Sequence, residues 1–195
     1  MKKILFFTFM YFLANQLGAQ EFNKQMAEAK SAYNSGKLDD SRFAMQQMLQ
    51  ELDLVAGKEI LKMLPVKMLD QSQNAANDNV SSTSGFFGTV IHRDFGTEEK
   101  RITLEIISNS PLLTSINALL SIPLIANNGD NKMIKIAGYK GLVTKISSDA
   151  THPEYELQLP LNTSLITLKA PGYSQEQLIQ MANTLPLAQI VKTLQ

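Results

Sequence analysis

The stretch RITLEIISN (Arg101–Asn109) places Ile102, Leu104 and Ile106 on one side of an extended chain and Thr103, Glu105 and Ile107 on the other. A period of two is the mark of a strand with one buried face. Upstream, Phe87 to Phe95 reads as a first strand, and Gly96 to Lys100 as the turn between the two. Downstream, Pro111 to Ile122 carries Leu112, Ile116, Leu119 and Leu120 at helical spacing, with proline at the first turn. After the Asn127–Asn131 turn come short strands at Met133–Ala137, Leu142–Ser147, Tyr155–Leu159 and Ser164–Leu168. Ser174 then caps a helix from Gln175 to Thr184, and a last helical turn carries Ile190, Val191 and Leu194. Tight turns between consecutive strands predict a mainly antiparallel sheet of about five to six strands with two helices covering one face.

The residues before this sheet are of a different kind. Asp70 to Ser84 (DQSQNAANDNVSSTS) has almost nothing apolar to bury. Composition alone predicts a flexible linker there. It separates a sheet domain over 85–195 from a helical segment over 20–68, with 69–84 between them. In the helical segment, Phe22, Met26, Ala29 and Tyr33 form one stripe. Ser35-Gly36-Lys37 breaks it, and Gly36 suits a left-handed cap. Asp39 and Asp40 start a second helix with Met45, Met48, Leu52 and Val55 on one face and Leu49 beside them. Ala56-Gly57 predicts another break, and Lys58 to Leu64 a short third helix ended by Pro65.

Ala29, Ala32-Tyr33, Gly36, Leu38 and Asp39-Asp40 stand where a helix–turn–helix repeat wants small, turn and acidic residues. The stretch resembles a single tetratricopeptide repeat, with Ser41, Met45 and Met48 departing from the family's alanine, aromatic and small positions. The resemblance implies a hairpin that must pack on something else, or a groove for a peptide. The order of parts also resembles exported proteins of unknown function. In those, a helical N-terminus and an ILKxLP segment, here Ile60 to Pro65, precede a small sheet domain. That second resemblance implies no activity.

Met1-Lys2-Lys3, the apolar run Ile4 to Leu13 and the small and polar ANQLGA (Ala14–Ala19) describe a secretory signal peptide over 1–19, cut after Ala19. Ten residues rise only about 15 Å, half of a bilayer core. No later apolar run approaches the roughly 18 residues of a span, so no transmembrane segment is expected in the mature chain. The expected address is periplasmic or secreted.

Function classes fall away quickly. The chain has no cysteine, which excludes disulfides, thiolate metal sites and a cysteine nucleophile. Its 18 basic and 18 acidic residues give no net charge, unlike a nucleic-acid binder. No nucleophile elbow, zinc helix or phosphate loop is present. The two histidines, His92 and His152, are the visible base candidates, with Asp94, Glu98, Glu99 or Glu154 as possible companions. Met45-Gln46-Gln47-Met48 puts two thioethers on neighbouring turns, and thioethers can select Cu(I). Their place on the apolar stripe points instead to core packing or to an adaptable partner face.

The expectation is therefore an α+β chain with an N-terminal tetratricopeptide-like hairpin. It is an exported, non-enzymatic interaction or structural protein of the envelope, meeting an unknown envelope protein. Tyr33, Met45, Met48 and Tyr139 are its candidate partner face. No catalytic, cofactor-binding or metal-binding residue and no cofactor is expected. The alternative is a carrier whose strands and aliphatic helices enclose a lipid or other apolar ligand.

Overall fold

The structure is a computed structural model that describes residues 20–82, 88–122, 129–147 and 154–194, apart from the Glu99 side chain. The expected signal peptide, the start of the first strand at Phe87, the first residues of the Asn127 turn and His152 lie outside the described residues. The chain divides into two compact units, Met1–Asp53 and Leu54–Gln195.

In the first unit, helix α1 covers 20–34 and helix α2 begins at Leu38. Gly36 turns the chain with a φ of 72°, and the Lys37 amide donates back to the Ala32 carbonyl. The contact between the helices uses small residues. Ala29, Ser41 and Ala44 are buried, and the Ser41 hydroxyl donates to the Ala29 carbonyl at 2.9 Å. The helical hairpin read from the sequence is present.

Helix α2 runs unbroken as Leu38–Met63, so the expected third helix is its C-terminal end. Gly57 is not a stop. A Cβ there would meet Val80 Cγ1 at 2.6 Å and Thr89 Cγ2 at 2.9 Å. The glycine lets the helix lie against the sheet. We expect Gly57→Val to lower stability by about 2–3 kcal/mol through overpacking, read as a drop in urea midpoint. A midpoint at or above that of the parent would contradict this account.

The second unit holds the sheet. A small hairpin, β1 (Lys67–Met68) and β2 (Gln71–Ser72), precedes β3 (Asn79–Ser82), β4 (Thr89–Phe95) and β5 (Ile102–Ser108). Helix α3 (Leu113–Ser121) follows, then β6 (Asn131–Ile136), β7 (Tyr139–Ser147), β8 (Glu154–Leu161) and β9 (Ser164–Pro171). Helices α4 (Gln175–Ala182) and α5 (Leu187–Thr193) end the described chain. The large sheet has seven strands in the order β3-β4-β5-β9-β8-β7-β6, all paired antiparallel. The sequence reading of five to six strands falls short because β3 lies in the presumed linker.

That linker is ordered by partners its composition does not reveal. β3 pairs with β4, Gln73 bridges Phe95, and the Asn74 amide donates to the Asp94 carbonyl at 2.8 Å. The strongest tie is Arg93, whose side chain is almost fully buried. Its Nε and Nη2 grip the Asp78 carboxylate at 2.9 and 2.6 Å, while Nη1 donates to the Leu64 carbonyl at 3.2 Å. One guanidinium thus joins the end of α2, the polar segment and β4.

Ile102, Leu104 and Ile106 of β5 are fully buried, as their alternation predicts. With Phe95, Ile166 and Leu168 they form the main core, closed by Ile60 of α2, by Leu64 just after it and by Leu178, Met181 and Ile190 of the last two helices. Ser174 caps α4 in a reciprocal box with Gln177. Helix α3 covers the other face, where Ile116 and Leu120 meet Leu142 and Leu165. Leu165 and Ile166 are neighbours on one strand, so they point to opposite sides. The helices therefore cover two faces of the sheet, not one as the sequence suggested.

Candidate functional site

The first unit presents an apolar surface. On α1, Met26 and Tyr33 are two turns apart and exposed; on α2, Leu38, Met45, Leu49 and Leu52 are exposed. Tyr33 is 64% accessible and Leu49 61%, far above what packing side chains show. Helical geometry relates the two stripes. Each is rotated from the small-residue contact in the same sense along its own helix, at 100° per residue. In an antiparallel pair, equal offsets fall on the same side. The two stripes therefore share one face of the hairpin, and exposed patches of this kind mark interaction surfaces.

The four candidate face residues separate. Tyr33 and Met45 lie on this surface, and Met48 beside it is half-buried. Tyr139 does not belong to it. It opens β7 in the second unit, pairs with Ile136 and packs partly against the main core. The expectation that the Met45 stripe forms core is also corrected, because alanine and serine make the interhelical contact and leave Met45, Leu49 and Leu52 outside. Met26, Leu38, Leu49 and Leu52 are the surface residues that sequence reasoning did not name as a partner face. The signal for them was the step pattern of each helix, which identifies a face but not whether anything covers it.

On β4, His92 and Asp94 share the sheet face opposite the main core, and His92 Nε2 lies 3.2 Å from Asp94 Oδ1. Asp94 is buried and also accepts from Asn77 Nδ2 at 2.9 Å and Thr103 Oγ1 at 3.0 Å. Burial pushes its carboxyl up, but the Asn77 and Thr103 hydrogen bonds and the nearby His92 outweigh it and hold the group below the usual aspartate range. Glu105 stands opposite His92 in register. Glu98 pairs with Arg101 at 3.5 Å, and Glu154 opens β8. The Thr103 hydroxyl is spent on Asp94, and among the described residues no hydroxyl bonds to His92. Among the described residues no group of three or more His, Asp or Glu is placed to hold a metal ion. This constellation fixes Asn77, β4 and β5 to one another.

A pH dependence follows. A carboxylate whose folded pKa lies below its unfolded value stabilises fully above the unfolded value and ceases to as pH falls through the folded one. We expect Asp94→Asn to be less stable than the parent by about 1–2 kcal/mol at pH 7. The difference should shrink below about pH 4, where aspartate in the unfolded chain takes up its proton. Urea midpoints of both proteins at pH 7, 4 and 3 measure it; a constant difference would refute the assignment.

Comparison with protein-family models, with curated proteins and with solved structures gave no match to this chain. Among the described residues no helix is long and apolar enough to cross a membrane.

Proposed function

We propose that this is an exported, non-enzymatic protein of the cell envelope that works by protein–protein contact through the α1–α2 hairpin. One observation carries the reading: Met26, Tyr33, Leu38, Met45, Leu49 and Leu52 are exposed together on a two-helix unit whose buried residues are Ala29, Ser41 and Ala44. Burying a side chain of that size contributes about 1.5–3 kcal/mol, so six of them left in water favour a partner. The basic start, short apolar run and small-residue end of 1–19 support export and a periplasmic or secreted address. The carrier alternative has less support, because the main apolar face of the sheet is filled by Leu64 and by Ile60, Leu178, Met181 and Ile190 of the protein's own helices.

The test is crosslinking capture from the native envelope with the full chain and with Leu49→Asp. The substitution puts a charge on the exposed stripe and leaves the hairpin contact intact. The expected result is a partner captured by the parent and lost by the variant, with equal helical circular dichroism. An identical capture profile for both would defeat the proposal.

A further inference from the structure

Helix α2 carries a seam that its own chain leaves open. Leu38, Arg42, Met45, Leu49 and Leu52 recur at alternating steps of four and three residues, the spacing with which one helix meets another. Arg42 and Asp53 are both exposed and sit on the same edge of this seam, three turns apart. At 1.5 Å per residue they are about 16 Å from each other along the helix, too far to pair within one chain. Among the described residues neither has an ion-pair partner. Around Asp53 burial is the one influence on the carboxyl, and it raises the pKa.

The two charges are opposite in sign and symmetrically placed. Arg42 lies as far before the point between residues 47 and 48 as Asp53 lies after it. If a second α2 crosses antiparallel at that point, every position meets its mirror position. Each Arg42 then comes level with the opposite copy's Asp53, while Met45 packs beside Leu49 of the other copy and Leu52 beside the Arg42 stem, each about one residue off level. We propose that the occupant of this face is a second copy of the same chain, joined by antiparallel α2–α2 packing about a two-fold axis with reciprocal Arg42–Asp53 pairs. Such an interface is self-complementary, as two-fold dimers require. Met26 and Tyr33 on the same side of the hairpin extend it toward a four-helix arrangement. The inference rests on the reading of the hairpin as an interaction surface and names its occupant.

Sedimentation velocity of the full chain over about 1–100 µM tests it, a range that reads micromolar affinities. The expected result is a concentration-dependent dimer. Leu49→Asp should stay monomeric throughout. Arg42→Asp and Asp53→Arg should each dimerise at least about tenfold more weakly, because each sets two like charges together twice. An equimolar mixture of those two variants should recover the parent's affinity, since every pair is then opposite in sign. A monomeric parent, or a dimer indifferent to these substitutions, overturns the proposal. A monomeric parent that still captures an envelope protein through Leu49 overturns the second copy alone and leaves the interaction reading standing.

Discussion

Arg93→Ala is expected to destabilise the protein by about 3–5 kcal/mol, the cost of breaking a buried ion pair by removing one partner. The alanine leaves Asp78 mostly buried without its cation, and the Leu64 and Pro65 carbonyls without the donor that reaches both. Against the 5–15 kcal/mol that holds a typical domain folded, this is a large share. Arg93→Lys should not rescue it, because one ammonium cannot hold both Asp78 oxygens and the helix end together. Removing both charges with Arg93→Met and Asp78→Leu should recover much of the loss, since an apolar replacement of a whole buried pair is often close to neutral. Equilibrium urea denaturation of the three variants decides it. An alanine variant within about 0.5 kcal/mol of the parent, the range of ordinary surface substitutions, would show that the guanidinium is not a structural tie.

Phe95→Ala should cost about the same, 3–5 kcal/mol, by a different mechanism. Phe95 has no solvent exposure and heads the largest fully buried side chains of the main core. It pairs with Ile102 on β5 and is bridged on its other side by Gln73. Truncation leaves a hole in a place where three backbone segments hold the walls apart, so little collapse is available to fill it. The loss should scale with the volume removed, so Phe95→Leu should cost clearly less than Phe95→Ala, whereas the Arg93 loss comes from the unpaired Asp78 and is reversed by replacing both partners. Parallel urea denaturation of Phe95→Leu and of the double variant at positions 93 and 78 separates the two mechanisms.

Strands and surface helices were legible because their patterns are local. Ile102, Leu104 and Ile106 alternate in the sequence and are buried in the structure. Ser174 looked like a cap and is one. Gly36 looked like a left-handed turn and is one. The segment around Asn77 and Asp78 was not legible, because its order comes from Asp94 and Arg93, which lie more than a dozen residues away. Gly57 was misread for the same kind of reason. Helix propensity marks glycine as a break, but here its missing Cβ is what allows Val80 and Thr89 to approach. At the candidate site, the spacing of Met45, Leu49 and Leu52 was visible, while their exposure depends on how closely Ala29 and Ser41 draw the two helices together.

The position of β9 has a consequence for assembly. It pairs with β5, matching Thr103 to Lys169 and Ser108 to Ser164. These strands lie about sixty residues apart in sequence, so the middle of the sheet holds the longest-range of its strand pairings. The β3-β4-β5 and β6-β7-β8-β9 halves each grow by local hairpins, yet neither gains its central neighbour until Pro171 has emerged. The entropy of closing that long loop must be met before the core contacts return it, which makes this step the expected bottleneck of folding. A chain threaded through a narrow channel would thus carry local hairpins but no completed seven-stranded sheet until β9 had followed.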